Sequence, residues 1–218
     1  MSGPLSRSRN KAPDPNVRCA IVNAASRSIH DQGVRGLNIA AVLERAQLST
    51  RAFYRHFDSK DQLVAAVFLE LARDESQRLR ARMANTACPV VAVAEWIEGR
   101  LDLALDEHTE FRLHQVSLDA DSKVFSSEVV SPAYEAILEP LVEQLRRGLE
   151  LGMFKDIVPA TAAQSIDGVV WAATQGSRKT HHWDSSEVRG RALRFCMRGL
   201  GVAPAIVEEV AARAAANG

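Results

Sequence analysis

The residues best suited to specific polar contacts lie close together, in the stretch Ser49–His56. If this stretch is a short helix, Phe53 and Phe57 can anchor one side of it in a core, and its other side carries hydrogen-bond donors. A helix of this kind fits the major groove of DNA when its exposed face is thin and its buried face is apolar. The residues expected to face outward are Thr50, Arg51, Tyr54, Arg55 and His56.

The charge distribution also points to a polyanion as partner of the N-terminal region. The net charge of the 218 residues is zero, but residues 1–60 hold ten Lys and Arg against four Asp and Glu. The remainder carries 17 basic and 23 acidic residues, so a basic head is joined to an acidic body. Such an asymmetry favours contact between the head and a nucleic acid.

The apolar periodicity of the N-terminal region predicts the helices that would position these residues. Apolar residues recur at steps of three and four from Val17 to Ile29, and Gly33 ends that helix. Asn38 is expected to cap a second short helix, and Ser49 a third that runs to about His56. The sequence from Ser59 to Gln62 is a capping box that opens a long fourth helix.

The rest of the chain has the same helical character. Pro89, the pair Ser131-Pro132, Pro159, Ser185 or Ser186, and Pro204 are predicted helix starts. Pro140 is expected to kink or restart its helix. A further helix is expected at about 109–119, and residues 120–128 are expected to form a loop. No alternation typical of strands occurs, so the fold class is all-α. The predicted divisions are a flexible basic tail at 1–13, a helix-turn-helix domain at 14–62, and a C-terminal bundle for ligand binding and dimerisation at 63–218.

The segment from Val17 to about Val67 resembles the DNA-binding domain of the TetR family of transcriptional regulators. The resemblance rests on the stretches VRCAIVNAASRSIHDQG, LNIAAVLERAQLS, TRAFYRHF and DSKDQL. The specific motif is an aromatic residue, a histidine, a second aromatic and a Ser-Lys pair, in the order Tyr54, His56, Phe57, Ser59 and Lys60. It covers about a quarter of the chain, and the remaining helices match the family only in number and rough length.

The resemblance implies roles for individual residues. Tyr54 and Lys60 stand where the family clamps phosphates, which positions a domain without reading sequence. Thr50, Arg51 and Arg55 are the candidates for base edges, since arginine to guanine is the commonest specific contact. Asn38 is expected to hydrogen-bond a phosphate at its helix start, and His56 either contacts a phosphate or helps to pack the turn. Ser49 is a further candidate for DNA binding.

Two positions depart from the family pattern, and the role of the tail is open. Gln47 replaces the usual turn glycine, so a non-glycine residue is expected in a left-handed conformation at a cost of about 1 kcal/mol. Asn38 replaces the usual threonine, and asparagine caps a helix at least as well. The tail residues Arg7, Arg9 and Lys11 reach DNA as a flexible arm, or they are simply solvated.

The C-terminal part would hold the effector pocket and the dimer interface if it follows the family. Large residues at helical spacing either line such a pocket or fill an ordinary core. The same two interpretations apply to the polar residues that would orient a ligand. The candidate ligand-binding residues are Trp96, Phe111, His114, Phe125, Trp171 and Gln175.

Several other functions lack the residues they require. The chain has no Gly-rich phosphate loop, nucleophile elbow or zinc-protease motif, so we expect no catalytic residues and no cofactor. The group His181, His182 and Asp184 has poor geometry for a shared metal ion, so no metal site is expected. Cys19, Cys88 and Cys196 are too far apart for a redox or metal motif and are expected to be buried thiols.

These observations lead to one main hypothesis and two alternatives. The main hypothesis is a homodimeric repressor that binds a palindromic DNA operator and is released by a small apolar or aromatic ligand. Without a signal peptide or an apolar stretch long enough for a membrane, a cytoplasmic location is expected. The alternatives are a helix-turn-helix regulator without an inducer, and an all-helical binding module or enzyme with a degenerate head. A steep salt dependence of DNA binding would distinguish either kind of regulator from the binding module or enzyme with a degenerate head.

Overall fold

A computed structural model of the chain describes the backbone of residues 14–105, 127–180 and 185–216. These residues form helices and connecting turns without any strand, which confirms the all-α prediction. They divide into two compact units between Val67 and Phe68. The helices are α1 Pro15–Gln32, α2 Ile39–Ala46, α3 Thr50–Phe53, α4 Lys60–Met83, α5 Pro89–Leu105, α6 Ser127–Glu150, α7 Pro159–Thr180, α8 Ser185–Gly199 and α9 Pro204–Ala216.

The N-terminal unit begins with α1, whose limits follow from local chemistry. The Asp14 carboxylate accepts a hydrogen bond from the Asn16 backbone N–H at 3.0 Å, and Pro15 occupies the first turn. Gly33 ends the helix with a φ of 72° and donates its N–H to the Ile29 carbonyl. The face of α1 that the periodicity predicted is buried, including Ile21 and Ala25, neither of which has exposed surface.

The turn between α2 and α3 contains the left-handed residue expected from the sequence. Gln47 has φ 55° and ψ 42°, the conformation that the family's glycine adopts without steric cost. The Gln47 N–H donates to the Glu44 carbonyl, and the Leu48 N–H donates to the Leu43 carbonyl at 2.9 Å. The last carbonyls of α2 are thereby satisfied, which offsets the steric cost of the glutamine.

Helix α3 is shorter than predicted, because it ends at Phe53 instead of near His56. Beyond Phe53 the chain forms a turn in which the His56 N–H donates to the Phe53 carbonyl at 2.8 Å. This turn brings Phe57 into the same core as Phe53, and both rings are buried. Burial of the second aromatic therefore ends the helix before its intrinsic pattern would.

The C-terminal unit is built around α5, which packs on α6, α7 and α8, while α9 packs on α8. The predicted starts at Pro89, Pro159, Ser185 and Pro204 are confirmed. Its core is apolar, and members with no exposed surface come from five helices, beginning with Leu79 of α4. They include Trp96, Ile97 and Leu101 of α5, Leu141 and Leu145 of α6, Ala163 of α7, and Leu193 and Met197 of α8.

Helix α6 corrects two predictions about its limits. It starts at Ser127 instead of at Ser131, and it continues as one helix through Pro132 and Pro140. Pro140 removes one backbone hydrogen bond. However, Leu138 before it and Leu141 and Leu145 after it are buried in one core. Packing on a common core keeps both halves in line. The helix predicted at 109–119 lies outside the described residues.

The cysteine prediction is correct only for Cys196, which is buried, and burial raises the pKa of its thiol to about 12. Cys88 is half-buried and Cys19 is exposed. Cys19 falls on the outer face of α1 because the buried face is fixed by Ile21, Val22 and their neighbours one turn on. The phase of the helix thus outweighs the general tendency of cysteine to be buried.

Candidate nucleic-acid interface

The two short helices of the N-terminal unit begin at polar caps that the sequence predicted. The Asn38 Oδ1 accepts hydrogen bonds from the Ala40 N–H at 2.8 Å and the Ala41 N–H at 3.4 Å. The Ser49 Oγ accepts from the Ala52 N–H at 3.3 Å. In both residues the oxygen serves the helix, while the Asn38 amide N–H₂ and the Ser49 O–H keep donor capacity suited to a phosphate.

The predicted recognition segment separates its polar and apolar residues by burial. Phe53 has no exposed surface, and the adjacent Tyr54 is 62% exposed. Thr50, Arg51 and Arg55 are also exposed, and His56 is half-buried. One short stretch therefore offers hydroxyl, phenol and guanidinium donors to the solvent from a backbone that is fixed by a buried ring.

Aromatic contacts hold this segment in place. The Phe53 and Phe57 ring centroids are 5.6 Å apart, and the Tyr54 ring meets Phe53 edge-on at 5.2 Å. The guanidinium carbon of Arg18, on α1, lies 5.3 Å from the centroid of the Phe57 ring. Sequence reasoning missed Arg18, because its partner is 39 positions away and no local pattern joins them.

The start of α4 places Lys60 beside this segment in sequence, as the first residue of its helix. The Ser59 Oγ accepts from the Gln62 N–H at 3.1 Å, as the capping box predicts. The return bond differs, since the Gln62 Oε1 accepts from the Asp58 N–H at 2.8 Å instead of from Ser59. The half-buried Lys60 ammonium is therefore carried by a firmly capped helix start.

Of the candidate ligand-binding residues, the structure describes the side chains of Trp96 and Trp171. Trp96 is completely buried and donates its indole N–H to the Ile137 carbonyl at 3.3 Å. Trp171 is 54% exposed. Gln175 belongs to α7, and its side chain lies outside the described set. Phe111, His114 and Phe125, like His181, His182 and Asp184, also lie outside the described residues.

A buried polar group beside Trp96 was missed from the sequence. Arg100 lies 5.9 Å from the Trp96 ring, 3.8 Å from the Glu75 carboxylate and 3.6 Å from the Asp167 carboxylate. The Tyr134 hydroxyl donates to Asp167, and burial raises the pKa of Asp167. The Arg100 Nε is buried without a hydrogen-bond partner. Four helices contribute to this group, so no spacing along the chain could reveal it.

A second polar group joins α4, α5 and α8 through Arg82. Its guanidinium donates to Glu95 at 2.8 Å, Glu98 at 3.1 Å and Asp102 at 2.5 Å. Asp102 also accepts a hydrogen bond from Arg189. The acids occupy one face of α5 at steps of three and four, and that stripe was a usable sequence signal. We call Arg82, Arg189 and the three acids the Arg82 cluster.

The apolar faces that were expected to form a dimer interface turn partly inward. Ala163, Ile166, Val170, Ala192 and Leu193 are buried in the chain's own core. Other residues of the same expected faces, Ala162, Val169 and Phe195, remain at the surface together with Val158, where they border a groove of about 390 Å³ between α7 and α8. This surface set, which we call the α7–α8 face, comprises Val158, Ala162, Val169 and Phe195, and Phe195 is 68% exposed.

Among residues 14–105, 127–180 and 185–216, no three His, Cys, Asp or Glu side chains are grouped so that they could hold a metal ion. No helix within the same residues has the length and apolarity needed to cross a membrane.

Comparison with known proteins confirms the resemblance noted for the N-terminal region. Residues 21–67 match the family model TetR_N, described as bacterial regulatory proteins, tetR family. Residues 21–67 of the N-terminal unit are therefore similar to the helix-turn-helix domain of tetR-family regulators. Curated protein sequences offer no match to this chain.

Solved structures show the same fold over most of the chain. RolR in complex with resorcinol has a TM-score of 0.64 and 22% identity, over 91% of this chain and 94% of its own. FadR from Bacillus subtilis in complex with stearoyl-CoA has a TM-score of 0.62 and 17% identity, over 83% of this chain and 98% of its own. SmeT is the repressor of a Stenotrophomonas maltophilia multidrug efflux pump. Its complex with triclosan has a TM-score of 0.59 and 22% identity, over 84% of this chain and 91% of its own.

Proposed function

We propose that this protein is a sequence-specific transcriptional repressor that binds a palindromic DNA operator as a homodimer and is released by a small ligand. The observation that carries the proposal is the segment Thr50–His56, which exposes its polar side chains while Phe53 fixes it in the core. Such a helix can enter the major groove without moving its own anchor. A regulator of this kind would work in the cytoplasm.

The exposed residues divide into two proposed roles. Thr50 and Arg51 of α3 and Arg55 of the turn that follows it read base edges, because all three side chains are exposed. Phosphates are bound by the residues that surround this reading surface and that sit at helix starts or turns. This phosphate-binding set comprises Asn38, Ser49, Tyr54, His56 and Lys60.

Lys60→Ala is expected to weaken binding to every DNA sequence by a similar factor. The Lys60 ammonium would neutralise one phosphate, so its loss should flatten the slope of log affinity against log salt concentration by about one unit. Fluorescence anisotropy with operator and random duplexes at four salt concentrations measures this. Lys155→Ala, a lysine of the C-terminal unit, is the matched control. An unchanged salt slope in the Lys60 variant would exclude the phosphate role.

The arginine that reads a guanine is expected to lose about 1–3 kcal/mol of operator binding when replaced by alanine. Random DNA should lose much less, so specificity falls with affinity. We expect this of Arg51→Ala or Arg55→Ala in competition binding on a library of operator variants. Arg73→Ala, in the C-terminal unit, serves as the control. Equal losses on operator and random DNA for both variants would leave these arginines as backbone contacts only.

The α7–α8 face supports the homodimer in this proposal. A large exposed aromatic such as Phe195, next to an apolar groove, is costly in water and suits a contact with a second copy. Two-fold symmetry would place two recognition helices about 34–36 Å apart, or at a multiple of that distance, on a palindromic site.

Phe195→Glu is expected to convert the dimer to a monomer at micromolar concentration, because a carboxylate would be buried without a partner. Light scattering gives the mass directly. Leu151→Glu, another exposed apolar residue but outside the groove, is the matched control and should stay dimeric. A monomeric parent protein would remove the dimer from the proposal.

The proposed effector is a small, mainly apolar or aromatic molecule held by the helices between about 88 and 180. Similar folds carry resorcinol, stearoyl-CoA and triclosan, all of which combine an apolar body with polar groups. In this chain, Trp96 offers a ring and the adjacent Arg100, Tyr134 and Asp167 offer donors and acceptors for a hydroxyl or carboxyl group. The unsatisfied Arg100 Nε supports this placement.

Release from DNA would follow from a difference in ligand affinity between two states of the dimer. A ligand that prefers the state with the wrong spacing of recognition helices weakens operator binding by that difference. Thermal shift with a panel of phenols and fatty acids tests the pocket, since saturation at 100 times the dissociation constant adds about 2.7 kcal/mol. Sequencing of DNA bound in vivo identifies the operator. A protein that enriches no DNA site would contradict the proposal as a whole.

A further inference from the structure

The C-terminal unit has a cleft of about 470 Å³ whose lining includes neither of the two tryptophans discussed above. Its walls come from the start of α5, the turn between α6 and α7, and the first turns of α9. The floor is apolar and well packed, with Val90, Ala94, Val202 and Val210 all buried. A cavity of this size suits a small organic molecule.

The cleft also reaches one carboxylate that is almost completely buried. Glu98 lines the cleft and has only 6% of its surface exposed. The Arg82 Nη2 donates to its Oε2 at 3.1 Å, and no other described residue makes a hydrogen bond with this carboxylate. A carboxylate can accept about four hydrogen bonds, so Glu98 remains poorly satisfied. Desolvation accordingly raises its pKa.

The charges of the Arg82 cluster do not balance. Three carboxylates, on Glu95, Glu98 and Asp102, share two guanidinium groups, those of Arg82 and Arg189. Two further cations lie near the cluster. Arg78 is paired with Glu75, and Arg213 has a side chain that is 62% exposed and lies 3.9 Å from Glu95. Solvent screens a pair of that kind. Among the described residues, the three carboxylates therefore exceed their two guanidinium partners by one charge, and Glu95 and Glu98 of this group line the cleft.

We propose that this cleft binds a monovalent amphiphilic cation, with its ammonium group at Glu98 and its alkyl or aryl body on the apolar floor. The cation would supply the missing charge and the missing hydrogen bonds of a desolvated carboxylate, which strengthens the interaction relative to water. An anion of the same shape would have to lie against Glu98. The rim cations Lys155 and Arg213 are exposed, so solvent screens their attraction for an anion.

Heptylamine, heptanol and heptanoate test the proposal, because they share one body and differ in the charge of the head group. Isothermal titration on the full chain is expected to give heptylamine at least a tenfold higher affinity than heptanol, and heptanoate the lowest. Equal affinities of the three probes, or no binding of heptylamine up to millimolar concentration, would overturn the proposal.

Two variants locate the site. Glu98→Gln keeps the shape and removes the charge, so it should weaken heptylamine at least tenfold and leave heptanol within twofold. Glu209→Gln, an exposed carboxylate on the same cleft, should leave both probes within twofold of the parent. An unchanged heptylamine affinity in Glu98→Gln would contradict the assignment. If Glu98→Gln does not fold, Ala203→Leu serves instead, because the larger side chain narrows the exposed mouth of the cleft. This variant should bind both heptylamine and heptanol more weakly. Unaltered binding of the two probes by Ala203→Leu would also contradict the site.

The cation site and the proposed regulatory function fail independently. Lys60→Ala should bind heptylamine like the parent while it loses DNA affinity, because Lys60 belongs to the N-terminal unit and the cleft to the C-terminal unit. Loss of heptylamine binding in Lys60→Ala would show that the probe does not occupy this cleft.

Discussion

Arg82→Ala is expected to lower the free energy of unfolding of the C-terminal unit by about 3–5 kcal/mol. Arg82 is the one residue that donates to all three acids of its cluster, and its removal would leave Glu98 buried without any partner. Asp102 would keep Arg189, but Glu95 would keep only the exposed Arg213. Most of the loss therefore comes from uncompensated burial of charge, which urea denaturation measured by tryptophan fluorescence would register.

The matched control is Arg80→Ala, two residues earlier on the same helix. Arg80 also pairs with two acids, Glu139 and Glu143, but all three side chains are largely exposed. Its loss should cost about 0–1 kcal/mol because water replaces the guanidinium. Similar losses in the two variants would mean that the Arg82 cluster is solvated and not a buried network.

Phe53→Ala is expected to destabilise the N-terminal unit by about 3–5 kcal/mol. The Phe53 ring has no exposed surface and contacts both Tyr54 and Phe57. Its removal would leave a cavity behind the recognition segment, and the turn that follows α3 would lose its main contact. Hydrogen–deuterium exchange of amides in α1, α2 and α3 measures this unit separately from the rest of the chain.

Tyr54→Ala, at the next position, is the control for this prediction. The Tyr54 ring is mostly exposed, so the free energy of opening derived from the exchange rates should change by less than about 0.5 kcal/mol. DNA affinity should nevertheless fall, on operator and random duplexes alike, if the phenol binds a phosphate. Protection from exchange that is lost equally in both variants would show that Tyr54 is part of the core, and it would remove Tyr54 from the proposed phosphate contacts.

Local chemistry made the starts of α2, α3 and α4 predictable. Asn38, Ser49 and Ser59 cap helices through bonds to backbone groups no more than three residues away. The left-handed Gln47 and the terminating Gly33 depend on their own backbone angles. The tetR-type motif adds to these signals because its aromatics and Ser-Lys pair occupy one short stretch. The polar segment proposed to contact DNA could be named from sequence for the same reason.

The limits of some elements and the fate of several residues could not be predicted. Phe57 shortens α3 by packing beside Phe53, and a common core keeps α6 continuous across Pro140. Of the two tryptophans proposed for the pocket, Trp96 is buried and Trp171 faces the surface. Periodicity identifies an apolar face, but it does not say whether that face meets the chain's own core or a second copy.

The sequence by itself determined the helical class, the positions of the caps and the polar segment between Ser49 and Lys60, because each depends on residues within about one helical turn of one another. The tertiary structure alone decided which charges meet. Arg82 reaches acids 13 to 20 positions away, and Asp102 meets Arg189 across 87 positions. Contacts of that range depend on how the helices pack, and packing is what produced the buried carboxylate, the unbalanced charge and the cleft beside them.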